Sequence, residues 1–327
     1  MLRSIDEFGL ISKYFQPLTN ACEGALELKD DAALVTHELG CEIVITCDAL
    51  VCGVHFRNED KPEDVAARAL RVNLSDLAAM GARPISYLLS LAVPADLSET
   101  WLECFVRQLA RDQKSYRLNL IGGDTVVTPG PLSLTITALG EVSVGQALTR
   151  AGSKMGDKIF VSGSIGDASL GLRVLHGELD ALTEAQASEL KTCFLRPRPR
   201  IELGQALVGT AHSATDVSDG LVADVGHLCA LAGVGAHLSV SLLPLSKATR
   251  AVLDMKPNLL PDLLSSGDDY ELVFTAPEGA RGVLSRISSS TGVTITEIGR
   301  IVETPGVLVF DSDGSKIQLL KAGYQHF

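Results

Sequence analysis

Short β-branched, apolar runs alternate with helix-length segments along nearly all of this 327-residue chain. That alternation restricts it to α/β or α+β architectures. In the first half, "CEIVITCDALV" (41–51), "ISYLLSLAV", "LNLIGGD" and "LSLTITALGEV" predict strands, the third breaking into a glycine turn. Pro62 followed by "EDVAARALRVNLSDLAAMGA" predicts a helix with proline in its first turn, and "SETWLECFVRQLARDQ" a second helix with Ser98 near its start. Ser4 and Glu7 form a capping-box pattern for an opening helix that reaches about Phe15. The stretch "GQALTRAGSKMGDK" (145–158), rich in Gly, Ser and basic residues, reads as a junction between two domains, 1–145 and 146–327. Beyond it come a strand "KIFVSG", helices through 167–211, a "DVSDG" turn, a helix to about 232 and "GAHLSV". A polar loop "SSGDDYELVFTA" then feeds a strand, and the tail is β-rich.

Two four-residue stretches echo each other across this pattern: "NLSD" at 73–76 and "DVSD" at 216–219. Each sets an oxygen-bearing side chain three residues before an aspartate and runs into an apolar segment. Helix capping is the plain reading, because Ser and Asp accept bonds from the free N–H groups of a first turn. Metal binding is the sharper one. Asp30 and Asp31, Asp48, Asp76, Asp124, Asp216 and Asp219 all lie next to Gly, Ser or Thr or at the ends of elements, and Asp48, Asp124 and Asp216 follow strand-like runs. Strand ends in α/β folds converge on the edge where ligands bind. Carboxylates gathered there cost roughly 4 kcal/mol per pair at about 4 Å and an effective dielectric near 20, so such a cluster needs a cation. Oxygen ligands without His or Cys favour Mg²⁺ or Ca²⁺ over zinc. Magnesium is commonly shared with phosphate oxygens, which points to a polyphosphate substrate, and the glycines of "GGDT" allow close approach to one.

The rest of the composition excludes several classes. A net charge of −12 argues against a nucleic-acid or anionic-membrane surface. The longest apolar stretches fall far short of the roughly 20 residues that cross a bilayer, and the N-terminus lacks a basic-then-apolar signal pattern. Seven cysteines without a CxxC pair suit free thiols in a reducing cytoplasm. The usual phosphate motifs, GxxxxGK[ST], HRD/DFG and GxGxxG, are absent. "DSDGS" (311–315) reads as a hairpin turn rather than a calcium loop. "VSGSIGD", with Ser162, Ser164 and Gly166, fits a phosphate-binding loop or a strand-to-helix turn equally well.

In order, "DDAALV", "TCDALVCGVHF", "NLSDLAAMGARP", "IGGDT", "ALTRAGSKMGD", "DVSDGL", "SGDDYEL" and the closing "GYQHF" resemble the thiamine-monophosphate kinases. These belong to the aminoimidazole-ribonucleotide-synthetase-like ATP-binding superfamily. The resemblance runs from about residue 30 to the C-terminus. It implies an N-terminal sheet-and-helix domain that binds ATP and Mg²⁺ and pairs in a homodimer, a C-terminal α/β domain, and ATP with several Mg²⁺ between the two. It implies metal ligation by Asp31, Thr46, Cys47, Asp48, Asp76, Asp124, Asp216 and Asp219, some through water. It implies nucleotide contacts from Gly123, Asp124, Arg150 and Ser218, substrate contacts from His55, Asp268 and Tyr324, and catalytic roles for Asp124, Asp219 and Arg150. Three positions depart from the family pattern: Lys29 for Gly, Cys47 for a hydroxyl residue and Asp268 for Glu. The implied reaction is ATP-dependent, Mg-assisted, in-line phosphorylation of thiamine monophosphate to the diphosphate in the cytoplasm. A synthetase acting through a phosphorylated intermediate and a non-catalytic Mg-nucleotide-binding protein are the alternatives.

Overall fold

The computed structural model describes residues 7–30, 32–179, 181–319, 321, 323 and 324. Ser4 and Asp31, named above, lie outside the described residues. The chain forms two compact units: Met1–Leu77 with Ala82–Gly145, and Ala78–Gly81 with Gln146–Phe327.

The first unit holds a four-stranded sheet of β1 (Cys41–Val51), β2 (Arg83–Pro94), β3 (Asn119–Thr128) and β4 (Ser133–Ser143), in the order β1-β4-β2-β3. β4 runs antiparallel to both β1 and β2, while β2 and β3 are parallel. Two helices, Pro62–Ala79 and Glu99–Tyr116, supply its apolar cover. Alternation along the strands sends Leu89, Leu91, Leu134, Ile136 and Ala138 into the core, where Leu70, Leu74, Phe105 and Leu109 are also fully or nearly fully buried. The opposite face keeps Ile45, Cys47 and Ala49 of β1 exposed. The opening helix is a single turn, Glu7–Leu10, that widens into a π-helical turn over Ile11–Phe15.

The second unit holds a six-stranded sheet of β5 (Lys158–Ser162), β6 (Ser213–Asp216), β7 (Gly235–Ser239), β8 (Leu272–Ala276), β9 (Ile295–Val302) and β10 (Gly306–Phe310), ordered β10-β7-β9-β5-β8-β6. Period-two alternation divides its apolar residues between two cores. Ile159, Val161, Val273, Ala236 and Ile298 pack with Leu221, Val225 and Leu228 of the Leu221–Ala232 helix. Phe160, Phe274 and Ala214 pack with Leu203 and Leu207 and with Leu284 and Ile287. The 311–315 stretch is the expected turn: Phe310 bridges Lys316, and Ile317 N–H donates to Val309 O.

Two sequence expectations need correction. "LNLIGGD" does not break into a turn; β3 continues through Gly122, Gly123 and Asp124 to Thr128. A Cβ on Gly123 would lie 1.9 Å from Leu89 O, so glycine is there to let β2 and β3 approach, not to end the strand. Asp48 and Asp124 are likewise not strand-end residues. Both sit inside their strands, because β1 stays paired with β4 as far as Val51 and β3 with β2 as far as Thr128.

Candidate active site

In the first unit, β1 is an edge strand, and an edge leaves alternate N–H groups without a ladder partner. The N–H of Asp48 donates to Asn73 Oδ1 at 3.1 Å, and Asn73 Nδ2 in turn donates to Ala69 O at 3.0 Å. Two residues back, on the same strand face, Thr46 Oγ1 donates to Asp76 Oδ2. "NLSD" therefore lies inside the Pro62–Ala79 helix and caps nothing. Its Asn ties the helix to the strand and its Asp meets the strand's threonine. The Asp48 carboxyl is pushed above the usual range by burial, opposed by the nearby His55 and by Asp76. His55 follows in a tight turn: its N–H donates to Val51 O, and its Nδ1 accepts the Val51 N–H at 3.1 Å. A ring nitrogen that accepts leaves the proton on Nε2.

Cys47 and Asp124 stand apart from this group. Cys47 is on the exposed face of β1, and its Sγ accepts from Thr137 Oγ1 at 3.4 Å, away from Thr46 and Asp48. Register puts Asp124 opposite Ser90, Ser90 opposite Thr135 and Thr135 opposite Ala49, a row of exposed and half-buried residues. The Asp48 row runs instead through Ile136 and Leu89 in the core. At about 4.8 Å per strand, β3 lies about 14 Å from β1 across the sheet. Within this unit the candidate ligands thus fall into a Thr46–Asp48–Asp76 group and a separate Asp124 at the other edge.

The second unit draws its candidates onto one segment, 216–220. Asp216 ends β6 and is buried. Ser218 O accepts the N–H of Asp268 at 3.0 Å, and Val217 O that of Tyr270 at 2.9 Å. Tyr324 N–H donates to Asp219 O at 2.9 Å. Arg150 Nε donates to Thr215 Oγ1 at 3.2 Å, one residue before Asp216. Arg150, Asp216, Ser218, Asp219, Asp268 and Tyr324 are therefore neighbours through main chain and side chain alike. "DVSD" is no helix cap either. The helix begins at Leu221 with Gly220 at its cap position, and the carboxylate of Asp224 reaches back to accept the N–H groups of Asp219 and Gly220. Burial, reinforced by the charge of Asp219, pushes the Asp224 carboxyl up to about 7.

The "SGDDYEL" loop carries backbone strain. Asp268 and Tyr270 adopt φ of 73° and 50°, conformations that bulky side chains rarely take and that concentrate at functional positions. Gly267 is pressed so close that a Cβ would lie 1.8 Å from Ser218 O. Tyr270 OH donates to Asp268 Oδ1 at 3.3 Å. Below the loop, Glu271 accepts from Arg200 and from Ser162 Oγ, while Ser164 Oγ donates to Asp167. The two serine hydroxyls of "VSGSIGD" are thus held by carboxylates, and the stretch joins β5 to the Asp167–Leu175 helix. Sequence reasoning passed over Asn73, Thr215, Tyr270 and Asp224. Of these, Tyr270 lay within the quoted "SGDDYEL" without being singled out, and Asn73, the first residue of "NLSD", was read for the wrong job.

Hydroxyl and carboxylate oxygens, with the Cys47 thiol turned away from Asp48, make a donor set that fits a hard divalent cation. The chain matches the AIR synthase related protein N-terminal domain over residues 29–142 and the corresponding C-terminal domain over 154–311. It is 42% identical to the thiamine-monophosphate kinase of Escherichia coli strain K12 over 322 residues, 98% of each chain. The chain belongs to the thiamine-monophosphate kinase family. A crystal structure of the thiamine-monophosphate kinase from Stenotrophomonas maltophilia superposes with a TM-score of 0.85 at 42% identity, covering 96% of this chain and 98% of that one. A structure of AaThiL complexed with AMPPCP and TMP superposes at 0.79 and 32% identity, covering 100% and 99%. The two-domain fold is that of this kinase family, with mixed sheets and helices. Among the described residues no helix is long and apolar enough to cross a membrane.

Proposed function

We infer that this chain transfers the terminal phosphoryl group of ATP to thiamine monophosphate, releasing ADP and thiamine diphosphate. The supporting observation is full-length kinship at 42% identity to a named kinase, together with the convergence of Arg150, Asp216, Ser218, Asp219, Asp268 and Tyr324 on one segment. The acceptor is a phosphate monoester whose second pKa lies near 6, so at neutral pH its oxygens are already anionic. No general base is required. The barrier is the approach of two polyanions, and this chain's residues work on that approach.

Thr46, Asp48 and Asp76, Asp124, and Asp216 and Asp219 would hold magnesium, with Asp31 and the backbone at Cys47 as further ligands; the metal's contribution is to neutralise phosphate charge and align oxygens. Arg150, oriented by Thr215, adds a bidentate contact to a phosphate. Gly123 and Ser218 would each offer main-chain contacts to the nucleotide. In the substrate pocket, Asp268 supplies the charge opposite to the cationic thiazolium ring and Tyr324 a cation–π face. His55, with its proton on Nε2, donates to the substrate phosphate. The exposed strand face that carries Ile45 and the Asp124 row is the surface through which two copies pair. The domains proposed are 1–145 and 146–327, and the compartment proposed is the cytoplasm.

The direct test is to incubate the protein with Mg·ATP and thiamine monophosphate and separate the products. Stoichiometric ADP and thiamine diphosphate support the reading. Release of inorganic phosphate without the diphosphate would mean a synthetase, and tight Mg·ATP binding with no ADP a non-catalytic binder. Asp219→Asn and Asp124→Asn are each expected to cut turnover by several orders of magnitude while melting like the parent; near-normal turnover at saturating magnesium counts against the ligand assignment.

A further inference from the structure

The Asp219 main chain is held from both sides. Its carbonyl accepts the Tyr324 N–H at 2.9 Å, and its N–H donates to Asp224 Oδ2 at 3.1 Å. The same Oδ2 accepts the Gly220 N–H, also at 3.1 Å. Both polar groups of the Asp219 main chain are thus engaged. Gly220 has a φ of 128°, and a Cβ there would lie 2.8 Å from the Ser265 carbonyl carbon, so a capping side chain has no place at the N-cap position. The N–H groups of Asp219 and Gly220, which lead into the Leu221–Ala232 helix, take their acceptor from Asp224 instead.

The acceptor the chain uses is expensive. Asp224 is 1% exposed, and its other oxygen, Oδ1, has no hydrogen-bond partner among the described residues. Burying a carboxylate with one bare oxygen costs more than an ordinary Ser or Asn cap would. Asp224 also stands beside a second carboxylate: it, Asp219 and His227 each bring one donor atom within 4.8 Å of the others. Helix stability alone does not account for that choice.

We propose that Asp224 is the positioning residue for Asp219, fixing through two main-chain hydrogen bonds the direction in which the Asp219 carboxylate leaves its turn. This rests on the reading of Asp219 as a ligand of the magnesium that accompanies the nucleotide. Asp224 touches neither phosphate nor metal in this account. It sets the angle from which Asp219 approaches them.

The test follows Mg·ADP and Mg·ATP affinity by thermal-shift titration and by calorimetry, together with KM for each substrate. Asp224→Ala is expected to weaken Mg·nucleotide binding at least tenfold and raise KM for ATP, leaving KM for thiamine monophosphate within twofold of the parent. Asp224→Asn, which keeps one acceptor oxygen for the two N–H groups, is expected to recover most of that loss. Nucleotide affinity unchanged in Asp224→Ala overturns the proposal. So does an Asp224→Asn as weak as Asp224→Ala, since that would make the charge, and not the hydrogen bonds, the requirement. Should Asp224→Ala fail to fold, Asp224→Asn decides alone, and a loss of tenfold or more in it overturns the proposal. Asp219→Ala is the control: if it binds Mg·nucleotide like the parent, the reading of Asp219 fails, independently of what Asp224 does.

Discussion

At the scale of single residues, this molecule concentrates its costly features in one place. Asp269 is half-buried and accepts the N–H groups of Gly166 and Ala168 at 2.7 and 3.2 Å. Burial holds its carboxyl well above the usual range; the two N–H groups pull the other way, and the neighbouring Asp167 and Glu271 add to the rise. The folded state therefore keeps this proton more tightly than the unfolded chain, where an aspartate titrates near 4. The stability this group contributes is intact below about pH 4 and is given up as pH climbs through the folded value. Asp269→Asn removes the titration, so its melting temperature is expected to rise relative to the parent with increasing pH, beyond any constant offset from losing an acceptor. A difference that stays flat from pH 4 to 8 would show that Asp269 does not titrate as described. "SGDDYEL" marks the loop as polar but gives no hint of this burial, because burial is set by Gly166 and Ala168, about a hundred residues earlier.

Among elements, the Pro62–Ala79 and Glu99–Tyr116 helices of the first unit are joined by a buried ion pair. Arg71 Nε and Nη2 donate to Asp112 Oδ2 and Oδ1 at 3.0 and 2.7 Å, and Gln108 Nε2 adds a third bond at 3.0 Å. Asp112 is almost fully buried. Removing one partner of such a pair leaves an uncompensated charge, so Asp112→Ala is expected to cost about 3–5 kcal/mol in denaturant unfolding. A cost below 1 kcal/mol would mean that water reaches the pair. The elements themselves were largely legible in the chain, since period-two runs such as "LSLTITALGEV" and the proline-opened helix declare themselves locally. Where expectation and structure part, a long-range contact decides. Gly122 and Gly123 look like a turn until β2 is seen pressed against them, and "NLSD" looks like a cap until Asn73 is seen satisfying the open edge of β1. The pairing of "DVSDG" with "SGDDYEL" was invisible for the same reason: no local pattern records that Ser218 O meets the N–H of Asp268.

For the molecule as a whole, the exposed face of the first sheet bears directly on the proposed dimer. Ile45 is 62% exposed on an otherwise ordered strand, next to Cys47 and Ala49. Ile45→Asp is expected to leave secondary structure unchanged and to shift the protein toward monomer in light scattering at micromolar concentration. An unaltered dimer would remove this face from the assembly. The strained loop has a different bearing. With Gly267 seated on Ser218 and with Asp268 and Tyr270 held at positive φ, one wall of the proposed thiamine-monophosphate site is already cast before any ligand arrives. A mould that is set in advance surrenders little disorder on capture. Thiamine monophosphate should then enter at a rate that climbs linearly with its concentration in stopped flow, with no plateau from a slow rearrangement.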